Sequence, residues 1–210
     1  MRKLHIVGLA LFGVFALSMF AASSAFALES VFLVGGVKPT AGVSVDSTLV
    51  AGSTILFEDM KEGVDITCTG VTNEGTVGPG NLDTVTAVTI TGCSSPVCTS
   101  AGVTAVHLPW LTELLLVGGI FLDDVLNSGA GVPSYILDCA VVGILVNDEC
   151  TSNVASADID NGVEDIIALF TGGVEAEFAN CSRGGVLTGL VVGEVLTLTL
   201  SGATLSVSEG

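Results

Sequence analysis

Basic side chains are nearly missing from this chain, which has five Lys and Arg among 210 residues against 22 Asp and Glu. The formal net charge is −17 at pH 7. So negative a surface repels the phosphates of nucleic acid and reverses the electrostatic attraction that drives most nucleic-acid binding. The composition therefore excludes nucleic acid as a partner. Acidity of this kind most often keeps an exported protein soluble, and a cation-rich partner is the second interpretation.

Side chains that perform catalysis are also scarce. Beyond residue 27 the only histidine is His107, and the chain has neither a GxSxG nucleophile motif nor a CxxC redox motif. Aromatic residues make up 5% of the sequence, which argues against the ring platforms of sugar-binding modules. We therefore predict a protein that is not an enzyme and that binds no cofactor.

The first 27 residues have the three parts of a secretory signal peptide. Arg2 and Lys3 precede a long apolar run, and small residues ending at Ala27 follow it. An uncleaved membrane anchor is the alternative, because the apolar run approaches the length that spans a bilayer. The cleavage site follows the run directly, without a basic stop-transfer cluster, so we expect cleavage after Ala27. The expected product is secreted, extracellular or periplasmic, with a single domain over residues 28–210 and no membrane span.

Cysteines occur in an even number, and none of them lies in the leader. The six are Cys68, Cys93, Cys98, Cys139, Cys150 and Cys181. In an exported chain such a set indicates up to three disulfides. The proline-containing stretch "CSSPVC" favours a local Cys93–Cys98 bridge, and we expect Cys150–Cys181 and Cys68–Cys139 as the other pairs. Zinc is a poor alternative, because the chain has no second close cysteine pair and a single histidine beyond the leader.

Apolar and polar residues alternate along much of the chain. "VDITCT" (64–69), "VEAEFA" (174–179) and "LTLTLS" (196–201) have the period of strands with one buried face. We expect further strands at about 53–58, 85–91, 112–117, 135–148 and 163–170, and a hairpin turn at "SG" (201–202). The unbroken apolar run 139–146 suits a central strand, and only 120–129 suits a short helical turn. About nine to eleven short antiparallel strands predict an all-β fold, either a β-sandwich or a closed β-barrel.

Acidic residues are concentrated in "DIDNGVED" (158–165). The stretch offers Asp158, Asp160, Glu164 and Asp165 as oxygen ligands around Gly162, which is the chemistry that calcium prefers. The glycine falls one place early for an EF-hand, and no bidentate glutamate stands at the closing position. A solvated acidic turn is therefore the favoured interpretation, with a weak calcium site as the alternative.

The stretch "VTAVHLPWLTELLLVGG" (103–119) places His107 near a proline, the only tryptophan and an acid. We expect Pro109 to end or bend a strand and Trp110 to fill the core, with the next strand following. The alternative is a hydrolytic triad or a metal site that includes His107.

Three stretches carry a resemblance: "TCTGVTNEGTVG", "HLPWLTELLLVGG" and "NCSRGGVLTG". Together with the leader they resemble a set of uncharacterised secreted bacterial proteins. The most specific shared part is the LPWxTEL segment at residues 108–114. The resemblance implies export from a bacterial cell, and it carries no functional residue across.

A chain rich in Thr, Ser and Gly, with 50% apolar residues and few charges to guard strand edges, favours association through those edges. The sequence therefore predicts a structural or adhesive protein at the cell surface, with self-association or a cell-surface partner. A small-ligand or calcium-binding module is the alternative, since a β-barrel has room inside. A hydrolase using His107 is the third hypothesis.

Overall fold

The computed structural model describes residues 29–59, 62–126, 130–142, 144–152, 155–161, 166–169, 177–178, 180–182, 187–188 and 194–210. These residues form eighteen β-strands and no helix, which confirms the predicted all-β class. The predicted leader, most of "VEAEFA" and two of the acidic candidates, Glu164 and Asp165, lie outside the described residues.

The strands are β1 (Ser30–Val34), β2 (Val43–Leu49), β3 (Ile55–Asp59), β4 (Val64–Cys68), β5 (Gly70–Val77), β6 (Leu82–Thr91), β7 (Ser100–Val106), β8 (Trp110–Val117), β9 (Ile120–Leu126), β10 (Ser134–Val141), β11 (Ile144–Thr151), β12 (Ser156–Asn161), β13 (Ile166–Leu169), β14 (Glu177–Phe178), β15 (Asn180–Cys181), β16 (Leu187–Thr188), β17 (Glu194–Thr199) and β18 (Leu205–Glu209).

Eight of the strands form a closed barrel in the order β12-β13-β17-β2-β5-β6-β8-β9, with β12 paired to β9. The neighbouring strands are antiparallel. Closure leaves the barrel with no free strand edge, and alternate side chains of each strand point inward. The closed barrel was one of the two architectures that the alternation predicted.

Two four-stranded sheets lie beyond the barrel, in the orders β15-β11-β10-β7 and β14-β16-β3-β4. Their inner residues form one hydrophobic cluster, in which Ile66 and Leu137 are almost fully buried. Barrel residues such as Val71 and Ala155 belong to the same cluster. The paired sheets therefore close one end of the barrel.

The first and last described strands, β1 and β18, pair with each other in a two-stranded sheet. Their buried residues Phe32, Leu205 and Val207 form a second cluster with the barrel residues Val45, Val77, Leu114 and Ile159. Both ends of the barrel are therefore filled by apolar side chains, from different parts of the chain.

Three disulfides join Cys68 to Cys93, Cys98 to Cys139 and Cys150 to Cys181. The last of these was predicted, whereas the expected local Cys93–Cys98 bridge and the Cys68–Cys139 bridge are wrong. The reason is that "CSSPVC" passes from one sheet to the other instead of turning back. Backbone hydrogen bonds between Thr67 and Ser94 place Cys93 beside β4, and the bond from Thr99 N to Ala140 O places Cys98 beside β10.

Two hairpins lie where the sequence predicted other elements. Residues 120–129 do not begin a helical turn: Ile120–Leu126 is strand β9, joined to β8 by Gly118 and Gly119, which both have the positive φ that a tight hairpin turn requires. The run 139–146 is not one central strand. It folds back between Val141 and Ile144, and Val142 at the turn is 88% exposed.

The "LTLTLS" alternation marks a strand as predicted, but the polar face is the buried one. Thr199 is 5% exposed and Leu200 is 66% exposed. The turn at 201–202 does not form a hairpin either, because β17 pairs with β2 and β13 while β18 pairs with β1. The strand count of eighteen also exceeds the expected nine to eleven, and three of the strands are only two residues long.

The disulfide pattern predicts the behaviour of the double variant Cys98→Ala with Cys139→Ala. Removing this bridge frees a long loop in the unfolded chain, so the free energy of unfolding should fall by about 3 to 4 kcal/mol in urea denaturation. Thiol titration of the unfolded variant should find no free thiol, because the other two bridges remain closed. Two free thiols would instead support the Cys93–Cys98 and Cys68–Cys139 pairing.

Candidate functional site

The inward side chains of the barrel form three layers. Along β9, for example, Phe121 belongs to the cluster at the β1–β18 end and Val125 to the cluster at the opposite end, with Asp123 between them. The same apolar, polar, apolar order occurs on β2 and β8. The middle layer, which we call the polar belt, consists of Ser47, Asn73, Asp83, Thr112, Asp123 and Thr197.

The polar belt surrounds a cavity of about 150 Å³. Trp110, Tyr135 and Phe178 line it towards the paired sheets, and Phe32 and Leu205 line it towards the β1–β18 pair. The cavity thus lies at the waist of the barrel, between its two filled ends.

A β-bulge at Glu74 and Gly75 shapes the cavity wall on β5. Gly75 lies so close to β6 that a Cβ at this position would collide with the carbonyl oxygen of Thr84. Only glycine fits this close approach of the two strands, and bulges are common next to functional sites.

Hydrogen bonds connect part of the polar belt. The hydroxyls of Ser47 and Thr197 lie 2.9 Å apart, and the Thr112 hydroxyl donates to Asp83. The Asp83 and Asp123 carboxyls are also in hydrogen-bond contact. Two acceptors of the belt, Asn73 Oδ1 and Asp123 Oδ1, are buried and have no hydrogen-bond partner among the described residues.

Burial governs the protonation of the carboxyl pair. Loss of hydration raises the pKa of Asp83 from 3.8 to about 6, against the opposing effect of its hydrogen bonds. The pKa of Asp123 lies well above its ordinary value, because the side chain is buried and because the charge of Asp83 is close. Both carboxyls therefore keep their protons to a higher pH than an aspartate in water does.

Aromatic rings build the cavity wall towards the paired sheets. Tyr135 contacts Phe57, Trp110 and Phe178 edge to face, with ring centroids 5.3, 5.2 and 4.8 Å away. Burial raises the pKa of Tyr135 far above its ordinary value, so its hydroxyl stays neutral. Trp110 is 4% exposed and its indole N–H donates to Val106 O at 2.8 Å. Trp110 thus fills the core, as predicted from the sequence.

His107 lies in the turn between β7 and β8, before Pro109, with φ of 60°. Its Nδ1 lies 2.8 Å from Val132 O, 3.0 Å from Ser134 Oγ and 3.6 Å from Glu149 Oε1. In a hydrolytic triad the serine and the acid contact opposite nitrogens of the ring, but here they share one. Ser134 is also 0% exposed. This group ties the turn to β10 and β11, and its geometry does not support the hydrolase hypothesis.

The acidic stretch 158–165 begins as strand and not as a loop. Asp158 pairs with Leu169 and Leu122, and Asp160 pairs with Ile167. Ala157 and Ile159 are buried, so the Asp158 side chain between them lies on the opposite face of β12, towards the outside of the barrel. Because Glu164 and Asp165 lie outside the described residues, the complete calcium hypothesis stays a prediction.

Among the described residues, one group of three potential metal ligands comes close together, Asp148 with Cys150 and Cys181. The two cysteines are joined in a disulfide and so present no thiolate to a metal. The group does not form a metal site.

Sequence reasoning missed Asp83, Asp123 and Asn73. A signal was present in "FLDDV" (121–125), where Asp123 has the same phase as Phe121 and Val125 and thus interrupts an apolar face. An acidic side chain that interrupts an apolar face is either exposed to solvent or buried because it has a specific role.

No protein-family model, no curated protein and no solved structure matches the chain. No helix within the described part of the chain is long and apolar enough to cross a membrane.

The carboxyl pair predicts how stability depends on pH. A carboxyl whose pKa is higher in the folded state stabilises the fold at low pH, and this contribution is lost as pH rises from about 4 through 6. For Asp83 the loss is about 3 kcal/mol. Asp83→Asn should remove most of this pH dependence while keeping an acceptor for Thr112, as measured by urea unfolding at pH 4 to 8.

Asp65→Asn is the matched control, since Asp65 is exposed on β4 and its replacement removes the same formal charge. Equal slopes of unfolding free energy against pH in the two variants would contradict the assigned role of Asp83.

Proposed function

We propose that this chain is a secreted, non-catalytic binding protein that holds one small molecule in the barrel cavity. The observation that carries the proposal is the pair of buried acceptors on the cavity wall, Asn73 Oδ1 and Asp123 Oδ1, which have no hydrogen-bond partner among the described residues. Buried polar atoms are normally hydrogen-bonded, and each exception calls for a missing partner. A bound molecule with donors supplies that partner.

The size and lining of the cavity support an organic ligand. A cavity of about 150 Å³ accommodates a molecule the size of benzene. Water alone suits it poorly, because each buried water needs several polar partners and the ends of the cavity are lined by Phe32, Trp110 and Leu205. Polar groups at the waist between apolar ends are typical of ligand pockets.

The covalent framework supports the secreted part of the proposal. Three disulfides fit an oxidising extracellular or periplasmic compartment. Two of them, Cys98–Cys139 and Cys150–Cys181, involve the sheet that carries Tyr135, so they hold the aromatic wall of the cavity in place. A rigid wall lowers the entropic cost of binding.

Filling the cavity tests the binding function. Ala157 is 7% exposed and lines the cavity, so Ala157→Leu should occupy part of the space. Benzyl alcohol and phenol should raise the melting temperature of the wild type and shift the amide resonances of β5 and β9. Both effects should be absent in Ala157→Leu.

Ser44→Leu places the same side chain at an exposed position of β2 and should bind like the wild type. If neither small alcohol changes the melting temperature or the spectrum of the wild type, the binding proposal fails.

A structural or adhesive role is the second candidate, and one surface feature favours it. The tip of the β10–β11 hairpin exposes Val142, Ile144 and Leu145 by 88%, 69% and 62%. Val142 also has φ of 47°, a conformation that costs energy for a β-branched residue. An apolar, strained tip of this kind suits contact with a second copy of the chain.

Light scattering behind size exclusion tests this role. The wild type should elute as an oligomer, and Val142→Asn with Ile144→Thr should elute as a monomer because the apolar tip is lost. Val37→Thr removes a valine that is 68% exposed on another surface and should leave the oligomer intact. A monomeric wild type at all concentrations would rule out self-association through the tip.

A further inference from the structure

We propose that the molecule held in the cavity is a small organic amine, bound as its ammonium ion between the Asp83–Asp123 pair and the aromatic wall. This inference rests on the proposed binding function and names the class of ligand. The inference rests on the charge of the cavity, on its hydrogen-bonding groups and on its shape.

Among the described residues, the acidic side chains of the cavity have no basic partner. None of the described residues that line it is Lys, Arg or His, whereas Glu74, Asp83 and Asp123 all belong to the lining. Lys38 is exposed near the end of the β1–β18 pair, and the other basic residues beyond the leader lie outside the described residues. A buried carboxylate is costly unless an opposite charge accompanies it, so a cationic ligand would stabilise the site.

The hydrogen-bonding groups of the belt also favour a donor. Among the described residues, Asp123 Oδ1 on β9 and Asn73 Oδ1 on β5 have no hydrogen-bond partner, and the two strands are separated by β6 and β8 around the barrel. The Thr112 hydroxyl already donates to Asp83. An ammonium group has donors only, so it supplies what the belt needs without adding another unpaired acceptor.

The aromatic wall fits the apolar body of such a ligand. Trp110, Tyr135 and Phe178 border the same cavity as the carboxyl pair. The face of an aromatic ring attracts a cation and packs against an alkyl group. A metal ion alone would leave most of the 150 Å³ unfilled and would contact aliphatic and aromatic carbon at both ends.

The titratable groups around the pair are almost all acidic. Asp124 follows Asp123 on β9, and its pKa is raised by burial and by the nearby charge of Glu113 on β8. Glu74 borders the cavity at the bulge of β5 with its side chain exposed to solvent, and the neutral Tyr135 faces the cavity from the paired sheets. On the strands that flank the pair, Thr112 and Ser156 are polar but uncharged. The surroundings therefore add negative potential and strengthen the preference for a cation.

Benzylamine and benzyl alcohol provide a matched pair of probes with the same number of non-hydrogen atoms and nearly the same shape. In calorimetric titrations of the oxidised chain at pH 7.5, benzylamine should bind about ten- to a hundredfold more tightly, which is the range for one hydrogen bond to a charged group. Asp83→Asn should abolish this preference but retain benzyl alcohol binding. Asp65→Asn should behave like the wild type.

A measurement on the wild type alone guards against a variant that fails to fold. Lowering the pH from 7.5 to 5 protonates most of Asp83, so benzylamine should bind up to about tenfold more weakly at pH 5 while benzyl alcohol binds equally at both values.

Equal affinity for the two probes would overturn the amine inference and leave the binding function standing. Binding of neither probe would overturn both. Calcium chloride alone is the third probe. If it raised the melting temperature of the wild type but not of Asp83→Asn, the site would be assigned to a metal ion and the amine inference would be overturned.

Discussion

The contact between the buried carboxyls of Asp83 and Asp123 is the constraint on which the barrel interior depends. The two acids lie on β6 and β9, the strands on either side of β8, and are largely shielded from water, so they cannot both be ionised without a large cost. Burial therefore raises the pKa of each carboxyl, and the Thr112 hydroxyl stabilises the ionised form of Asp83 by donating to it. A purely structural barrel would place aliphatic side chains at this level, as this barrel does above and below it.

The rest of the fold keeps that level enclosed. The β1–β18 pair fills one end of the barrel with Phe32 and Leu205, and the paired sheets fill the other end with the rings around Tyr135. Disulfides anchor those sheets covalently, including Cys150–Cys181 beside the ring cluster. Closure of both ends thus explains why the carboxyl pair is shielded from water, why its pKa values are raised and why a cavity lies at the waist.

Local patterns predicted the class of the fold well, because alternation in "VDITCT" reports directly which face of a strand is buried. They failed where long-range pairing decides. Thr199 is buried and Leu200 exposed because β17 joins a barrel with a polar belt, which inverts the usual meaning of a Leu–Thr alternation. Cys93 and Cys98 are close in sequence but are bonded to cysteines of different sheets. The pairing of the two acids could not be predicted for the same reason, since 40 residues and two strand pairings separate Asp83 from Asp123.

The central claim is that the interior of the barrel raises the pKa of both Asp83 and Asp123. It is tested most directly by following the side-chain carboxyl carbons of labelled aspartates by NMR from pH 3 to 9. The structure predicts that Asp83 titrates near 6 and that the pKa of Asp123 lies well above the ordinary 3.8 of an aspartate. If Asp83 and Asp123 both titrate near 4, the interior is hydrated, and neither the enclosed waist nor the ligand assigned to it survives.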